Sequence, residues 1–263
     1  MKIISSFSGG RTSAFMTSIL LNNYLDNDLL CVFANTGKEN EETLKFINEC
    51  DVRWNLGITW IEAVIHPEIG KGTTYKIVDY YTASRNGEPF SAVNAKYGLA
   101  NKNYPHCTRE LKEVPIRKFA IDFCGRTNYK MAIGIRIDER KRVNRLRAEK
   151  NNWVYPLVDE FPTTKLMVHD FWKNQPFDLG LHDYEGNCDL CWKKSLKKRQ
   201  RILREKPWIG DWWEKEEEKD EYVFDRDGYT INQVRQQGED LGKQLEMFDF
   251  SKEVGCSCFS NIV

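Results

Sequence analysis

Apolar residues follow two alternating rhythms through the first half of the chain. Residues 2–7 form a short apolar run, and residues 13–24 carry apolar side chains at helical spacing. The stretch 29–34, LLCVFA, is continuously apolar, as a strand buried on both faces is. Residues 40–50 read as a second helix and 58–65 (ITWIEAVI) as a third strand. Residues 108–124 have a helical pattern. Residues 129–137 (YKMAIGIRI) read as a fourth strand and 154–158 as a fifth. Between them, residues 66–105 break the rhythm with Gly, Asn and Tyr, and read as an insertion over one end of the sheet. Strands alternating with helices predict an open parallel sheet joined by right-handed crossovers, with helices on both faces.

The rhythm is lost after residue 195. Lys and Arg crowd residues 193–207, and residues 214–221 are nearly all acidic. Adjacent runs of opposite charge read as a solvated helical appendage. The expected division is therefore an α/β domain over 1–195 and a charged appendage with a cysteine-containing tail over 196–263.

Composition narrows the function classes. The 263 residues carry 39 basic and 39 acidic side chains, so no global field points to nucleic acid or a membrane. No run reaches the length of a membrane span, and no signal-peptide pattern opens the chain, so a cytoplasmic protein is expected. In a reducing compartment its eight cysteines are not a disulfide framework. Clustered ones point to metal or redox chemistry.

The first strand and first helix are joined by SFSGGRTS, residues 6–8 (ending in Ser8) and then Gly9, Gly10, Arg11, Thr12 and Ser13. A Gly-rich turn here puts backbone N–H groups and the helix dipole at one point, which favours an anion. Glycines at 9 and 10 let the backbone approach a phosphate, and a Cβ at either is expected to meet it. The hydroxyls of Ser6, Ser8, Thr12 and Ser13 add donors, and Arg11 can pair with a phosphate in a fork. In an open parallel sheet such a ligand lies at the carboxyl edge of the strands. The Walker pattern is absent.

This loop resembles the SGGxDS pyrophosphate-binding loop of the PP-loop ATP pyrophosphatases. Downstream, ANTGKENEETLKFI, HCTRELKEVPIRKF, GIRIDERKR, YPLVDEFPTTKLMVHDFW and HDYEGNCDLCWKKS are similar, in order, to segments of the phosphoadenosine phosphosulfate (PAPS) reductase family. The resemblance covers roughly residues 2–195. It implies a Rossmann-like sheet of the PP-loop type. It also implies an adenine nucleotide, ATP, PAPS or adenosine phosphosulfate (APS), bound by the loop, by Asn35, Thr36 and Gly37, and by Arg136. Arg140 and Arg142 are alternative anion contacts. Asp138 and Glu139 are candidate contacts for Mg²⁺ or for the ribose. Arg11 and Thr12 stand where the loop usually has Lys and Asp, which puts the pyrophosphatase activity in doubt.

Cys188 and Cys191 form a Cys-x-x-Cys, and Cys107 precedes it where the iron–sulfur members of the family have a Cys-Cys pair; His106 takes the place of the first. Cys107, Cys188 and Cys191, with His106, are candidate ligands of a 4Fe–4S cluster. Three Cys and one His fit structural zinc as well. Cys256 and Cys258, in the terminal EVGCSCFSNIV, are candidate sulfur or electron carriers, or an incidental tail. The reactions implied are reductive cleavage of an adenylyl sulfate with a thioredoxin-like reductant, ATP-dependent sulfur transfer to a small-molecule or nucleic-acid acceptor, or nucleotide binding without turnover.

Overall fold

The computed structural model describes residues 1–24, 28–225 and 227–253, with side chains to residue 243. The chain divides into two compact units. The first holds residues 1–100 and 104–189, and the second holds 101–103 with the chain from Leu190 on.

The first unit is an α/β sheet of the expected class. Its elements are β1 (Lys2–Ser6), α1 (Arg11–Asn23), β2 (Leu29–Asn35), α2 (Glu41–Trp54), β3 (Thr59–Ile65), β4 (Thr73–Val78), α3 (Glu88–Tyr97), α4 (His106–Thr108), α5 (Val114–Cys124), β5 (Tyr129–Ala132), α6 (Arg145–Asn151), β6 (Trp153–Val154), α7 (Pro156–Asp159) and α8 (Lys165–Lys173). Six strands lie in the order β4-β3-β2-β1-β5-β6. All pairs are parallel except β3 with β4.

Period-two alternation explains why both faces are covered. Ile3, Cys31, Phe33 and Trp60 pack with Ala14, Met16, Leu20, Leu44 and Ile47 of α1 and α2 on one face. Ile4, Val32, Ala34 and Ile61 point the other way, onto Ile116, Phe119 and Ala120 of α5. Each such Ile, Leu, Val, Phe or Met side chain, fully buried, contributes roughly 1.5–3 kcal/mol. Burial drives the Cys31 thiol up to about 12 and also raises Cys50, so both act as apolar fillers.

Three elements differ from the sequence pattern. Residues 66–105 contain β4, an antiparallel edge strand, and α3. The fourth strand ends at Ala132, because the chain leaves the sheet at Ile133–Ile135 and then winds into a 3₁₀ turn, Ile137–Arg142. The fifth is two residues long, since Pro156 has no N–H to donate and opens α7 instead. Helix α4 runs into α5 through a π-helical turn, Arg109–Glu113.

The second unit has a core of its own, made by α9 (Leu196–Glu205), α10 (Gly210–Glu217) and α11 (Ile231–Glu253). The basic run is therefore not a purely solvated face. Arg199 is fully buried and ion-paired with buried Asp225, while Ile202, Leu203, Trp213 and Phe224 are buried. Trp213 meets Phe224 edge-on at 4.7 Å. Gly238 lets α11 close on α9, since a Cβ there would lie 2.7 Å from the Gln200 carbonyl oxygen. Thr230 and Gln233 form a reciprocal capping box at the start of α11.

Candidate active site

The order of strands sets where a ligand can sit. From β1 the chain moves outward to β2 and β3, then returns to place β5 on the other side of β1. That reversal opens a crevice beyond the carboxyl ends of β1 and β5, the usual ligand position in such sheets. A cavity of about 410 Å³ lies there. Ser8, Gly10, Arg11, Thr12, Ser13 and Arg136 of the expected set all line it. Ser6, at the end of β1, lines a second cavity instead.

The loop is built around Ser13. Its hydroxyl donates to the Gly10 carbonyl at 2.9 Å and accepts from the Ser8 N–H at 3.2 Å. Ser8 adds a hydroxyl contact at 3.0 Å. This fixes the turn before α1, whose capping residue Gly10 makes no side-chain cap. Gly9 has φ +79°, a conformation that favours glycine. A Cβ on Gly9 would meet Thr43 at 2.6 Å and Ile47 at 3.0 Å. The expectation that it meets the phosphate is therefore corrected: the space behind Gly9 belongs to α2. A Cβ on Gly10 would find only the Asn187 amide, at 3.4 Å.

Two arginines frame the cavity, each already balanced by carboxylate. Arg136 donates to the Thr12 hydroxyl at 2.8 Å and pairs with Asp138 at 3.0 Å and Glu139 at 3.3 Å. The bond from Arg136 holds Asp138 below the ordinary carboxylate range. Arg11 forks onto Asp178 at 2.6 and 2.7 Å. Burial pushes Asp178 up, but the bonds from Arg11 and the Leu179 N–H outweigh it and hold the carboxyl low. Arg142 and Lys165 complete four cations on the wall, against Glu139 and Asp183. With Asp138 and Asp178 counted, four carboxylates meet these four cations, so an incoming anion has to displace carboxylate partners.

Asn35, Thr36 and Gly37 do not line this cavity. Asn35 is buried and donates to Glu62 at 2.7 Å and the Ser84 carbonyl at 2.8 Å. Thr36 gives its N–H and hydroxyl to buried Glu39 at 2.9 Å. Gly37 accepts from the Gly87 N–H at 3.0 Å. These residues shape the turn after β2.

The segment before the Cys-x-x-Cys ties both turns together. The Asn187 amide donates to the Ser8 carbonyl at 2.6 Å, and its own carbonyl accepts from the Asn40 N–H at 2.8 Å. Cys188 pairs as an isolated bridge with Glu39. Asp189 makes a buried ion pair with Lys38 at 2.8 Å. Lys112, from the π-helical turn, reaches Glu39 at 3.4 Å.

The metal set is a separate matter. Cys107, Cys188 and Cys191 are each half-buried. The His106 ring lies between Tyr97 and Tyr104, with centroids at 5.4 and 5.9 Å, and burial lowers its pKa. Among the described residues no three His, Cys, Asp or Glu side chains gather as a metal-holding group. His106, Cys107 and Cys188 belong to the first unit and Cys191 to the second. Cys256 and Cys258 lie outside the described residues. Among the described residues no helix is long and apolar enough to cross a membrane.

No protein-family model matches the chain. An uncharacterized nin region protein, ORF290 of Escherichia phage lambda, is 35% identical over 199 residues, covering 74% of this chain and 67% of that protein. The chain belongs to the family of that phage protein. An uncharacterized protein of Methanocaldococcus jannaschii is 27% identical over 231 residues, 81% of this chain. The chain spans 40% of that second protein's length.

Within this member of the ORF290 family, several site residues carry no mark in the sequence. Glu39 organises the turn after β2, Asp178 holds Arg11, and Asn187 holds the loop carbonyl. Asn187 directly precedes Cys188, in a segment that stands out for its cysteines instead. Asp178 lies far from Arg11 along the chain, and no local spacing marks it. Together these groups fix the loop, with Arg11, Arg136 and the Thr12 hydroxyl lining the cavity.

Proposed function

We propose that this chain binds an adenine nucleotide by its phosphate or sulfate end in the crevice over β1 and β5, and performs sulfur chemistry on it. The observation that supports this most is the Arg136–Thr12 contact, which joins the end of the β5 segment to the first turn of α1 beside Arg11. Two guanidiniums and a helix N-terminus then face one cavity, an arrangement suited to a polyanion. An incoming anion takes over hydrogen bonds that Asp138, Glu139 and Asp178 now accept.

The reaction proposed is reductive cleavage of an adenylyl sulfate. A cysteine thiolate attacks the sulfonate sulfur, and the bond from that sulfur to the phosphate oxygen breaks, with the nucleotide leaving as its phosphate. A second thiol attacks the cysteine sulfur of the S-sulfocysteine, forming a disulfide and releasing sulfite. The two electrons come from the dithiol, which a thioredoxin-like dithiol restores. The crevice supplies binding and orientation, and Cys256 and Cys258 are the proposed thiols.

A second reading, ATP-dependent sulfur transfer, is favoured by one observation. Arg11, Arg136 and the hydroxyls recognise anionic oxygens and do not select sulfate over phosphate. Calorimetry with ATP, APS and PAPS tests binding, and product analysis after one turnover tests the reaction. Binding of APS or PAPS with sulfite release supports reduction. Binding of ATP with AMP and pyrophosphate release supports transfer. Absence of binding by all three would end the nucleotide reading.

A further inference from the structure

We propose that Asp178 is a built-in competitor for Arg11, which closes the crevice to singly charged anions and yields to a group of two or more charges. The inference rests on the crevice taking an anion, as proposed above, and names the residue that sets its charge selectivity.

Each of the four cations on the crevice wall has a carboxylate partner. Arg11 forks onto Asp178 at 2.6 and 2.7 Å. Arg136 meets Asp138 at 3.0 Å and Glu139 at 3.3 Å, and Arg142 meets Glu139 at 2.5 Å. Lys165 meets Asp183 at 3.2 Å, and Asp183 also lies within electrostatic reach of Arg11. Four positive charges are thus met by four negative ones, drawn from two stretches far apart in the sequence, 138–139 and 178–183.

The Arg11 pair is the one built to resist exchange. Asp178 presents both oxygens to one guanidinium, the same forked geometry that a phosphate or sulfate group would adopt there. The Leu179 N–H donates to Asp178 Oδ1 at 2.7 Å and so aims the carboxylate, while the Trp172 N–H holds the Arg11 carbonyl at 3.0 Å. Asp178 therefore occupies the position on Arg11 that an incoming anion needs.

Exchange then sorts anions by charge, because the attraction scales with the product of the charges. A singly charged anion replaces the carboxylate like for like and gains nothing. A group of two or more charges pulls harder on Arg11 than the carboxylate that it displaces, and acts on Arg136 as well. The displaced carboxylates can turn to water, since the side chains of Asp138, Asp178 and Asp183 are 41, 43 and 70% exposed. His169 lies within electrostatic reach of both Asp178 and Asp183, a second place for a released carboxylate to turn.

The test is calorimetry with inorganic pyrophosphate at matched ionic strength, alone and against a large excess of dimethyl phosphate, a singly charged competitor. Asp178→Asn keeps an oxygen for the Leu179 N–H, and thermal melts confirm that the variant is folded. Wild type is expected to bind pyrophosphate and to ignore dimethyl phosphate. Asp178→Asn is expected to bind pyrophosphate about fivefold more tightly, the worth of one partly exposed ion pair, and to lose affinity when dimethyl phosphate is present. Unchanged or weaker pyrophosphate binding in the variant would overturn the proposal, and weaker binding would make Asp178 a residue that positions Arg11 instead. Equal competition by dimethyl phosphate in both proteins would overturn it too. So would pyrophosphate binding by neither protein, and ATP titrated into the same samples separates that result from failure of the crevice reading itself.

Discussion

Replacing Gly9 by Ala separates the loop's structural role from its binding role. Two costs add at this position. The residue sits at φ +79°, where an L side chain costs roughly 1–2 kcal/mol. The new methyl would also stand 2.6 Å from the Thr43 methyl and 3.0 Å from Ile47, both fully buried on α2. Forcing a methyl into a packed core costs about 1–3 kcal/mol more. The expected loss is about 2–5 kcal/mol, a fall in Tm on the order of 10 °C for a domain of this size. Gly10→Ala is the control, because its Cβ meets only the Asn187 amide at an ordinary 3.4 Å. It should melt near wild type. Urea unfolding followed by circular dichroism measures both. If Gly9→Ala lost less than about 0.5 kcal/mol, or if Gly10→Ala lost as much as Gly9→Ala, the assignment of the space behind Gly9 to α2 would be wrong.

Arg136→Ala should weaken APS or ATP binding about 10- to 100-fold by calorimetry, the worth of one charged hydrogen bond of about 1.5–3 kcal/mol; unchanged affinity would remove Arg136 from the site. Asp178 has a lowered carboxyl, so its pairing with Arg11 stabilises the fold above the unfolded aspartate value of about 3.9 and is lost as pH falls through the lower folded value. The pair is partly exposed, so the difference should be about 1 kcal/mol or less, and Asp178→Asn should abolish this part of the acid dependence in melts taken from pH 6 downward. Trp172→Ala should cost about 3–5 kcal/mol, because the ring packs on Phe46 and Trp54 and its N–H holds the Arg11 carbonyl at 3.0 Å; near-native stability would refute that. Thiol reagents at pH 8 should leave Cys31 and Cys50 unlabelled in the native protein, as labelling at their unfolded rate would contradict the burial that raises both thiols.

The sheet was legible where both faces of a strand are apolar. Residues 29–35 are buried along almost their whole length, and so short an apolar run suits a central strand better than a helix. Strand β4 was not legible, because an edge strand with Ile77 57% exposed has no clean alternation. The loop before α1 could be read from its own residues, since Ser8, Gly10 and Ser13 bond locally. Its supports could not. Asp178 and Asn187 meet the loop only after the whole sheet has folded, and tertiary partners leave no periodic trace. Arg199 shows the same limit: in sequence it is one more charge in a basic helix, and only the fold sets it against Asp225.

The ties from residues 178–189 to the loop also carry a consequence for synthesis. Every strand of the sheet has been made by Val154, yet Asp178 and Asn187 are still to come. A nascent chain stalled between these points has its complete set of β-strands and an unbraced Arg11. The bracing of Arg11 and of the Ser8 carbonyl therefore arrives late during translation, when the last dozen residues of the first unit leave the ribosome and close over the opening turn of the chain.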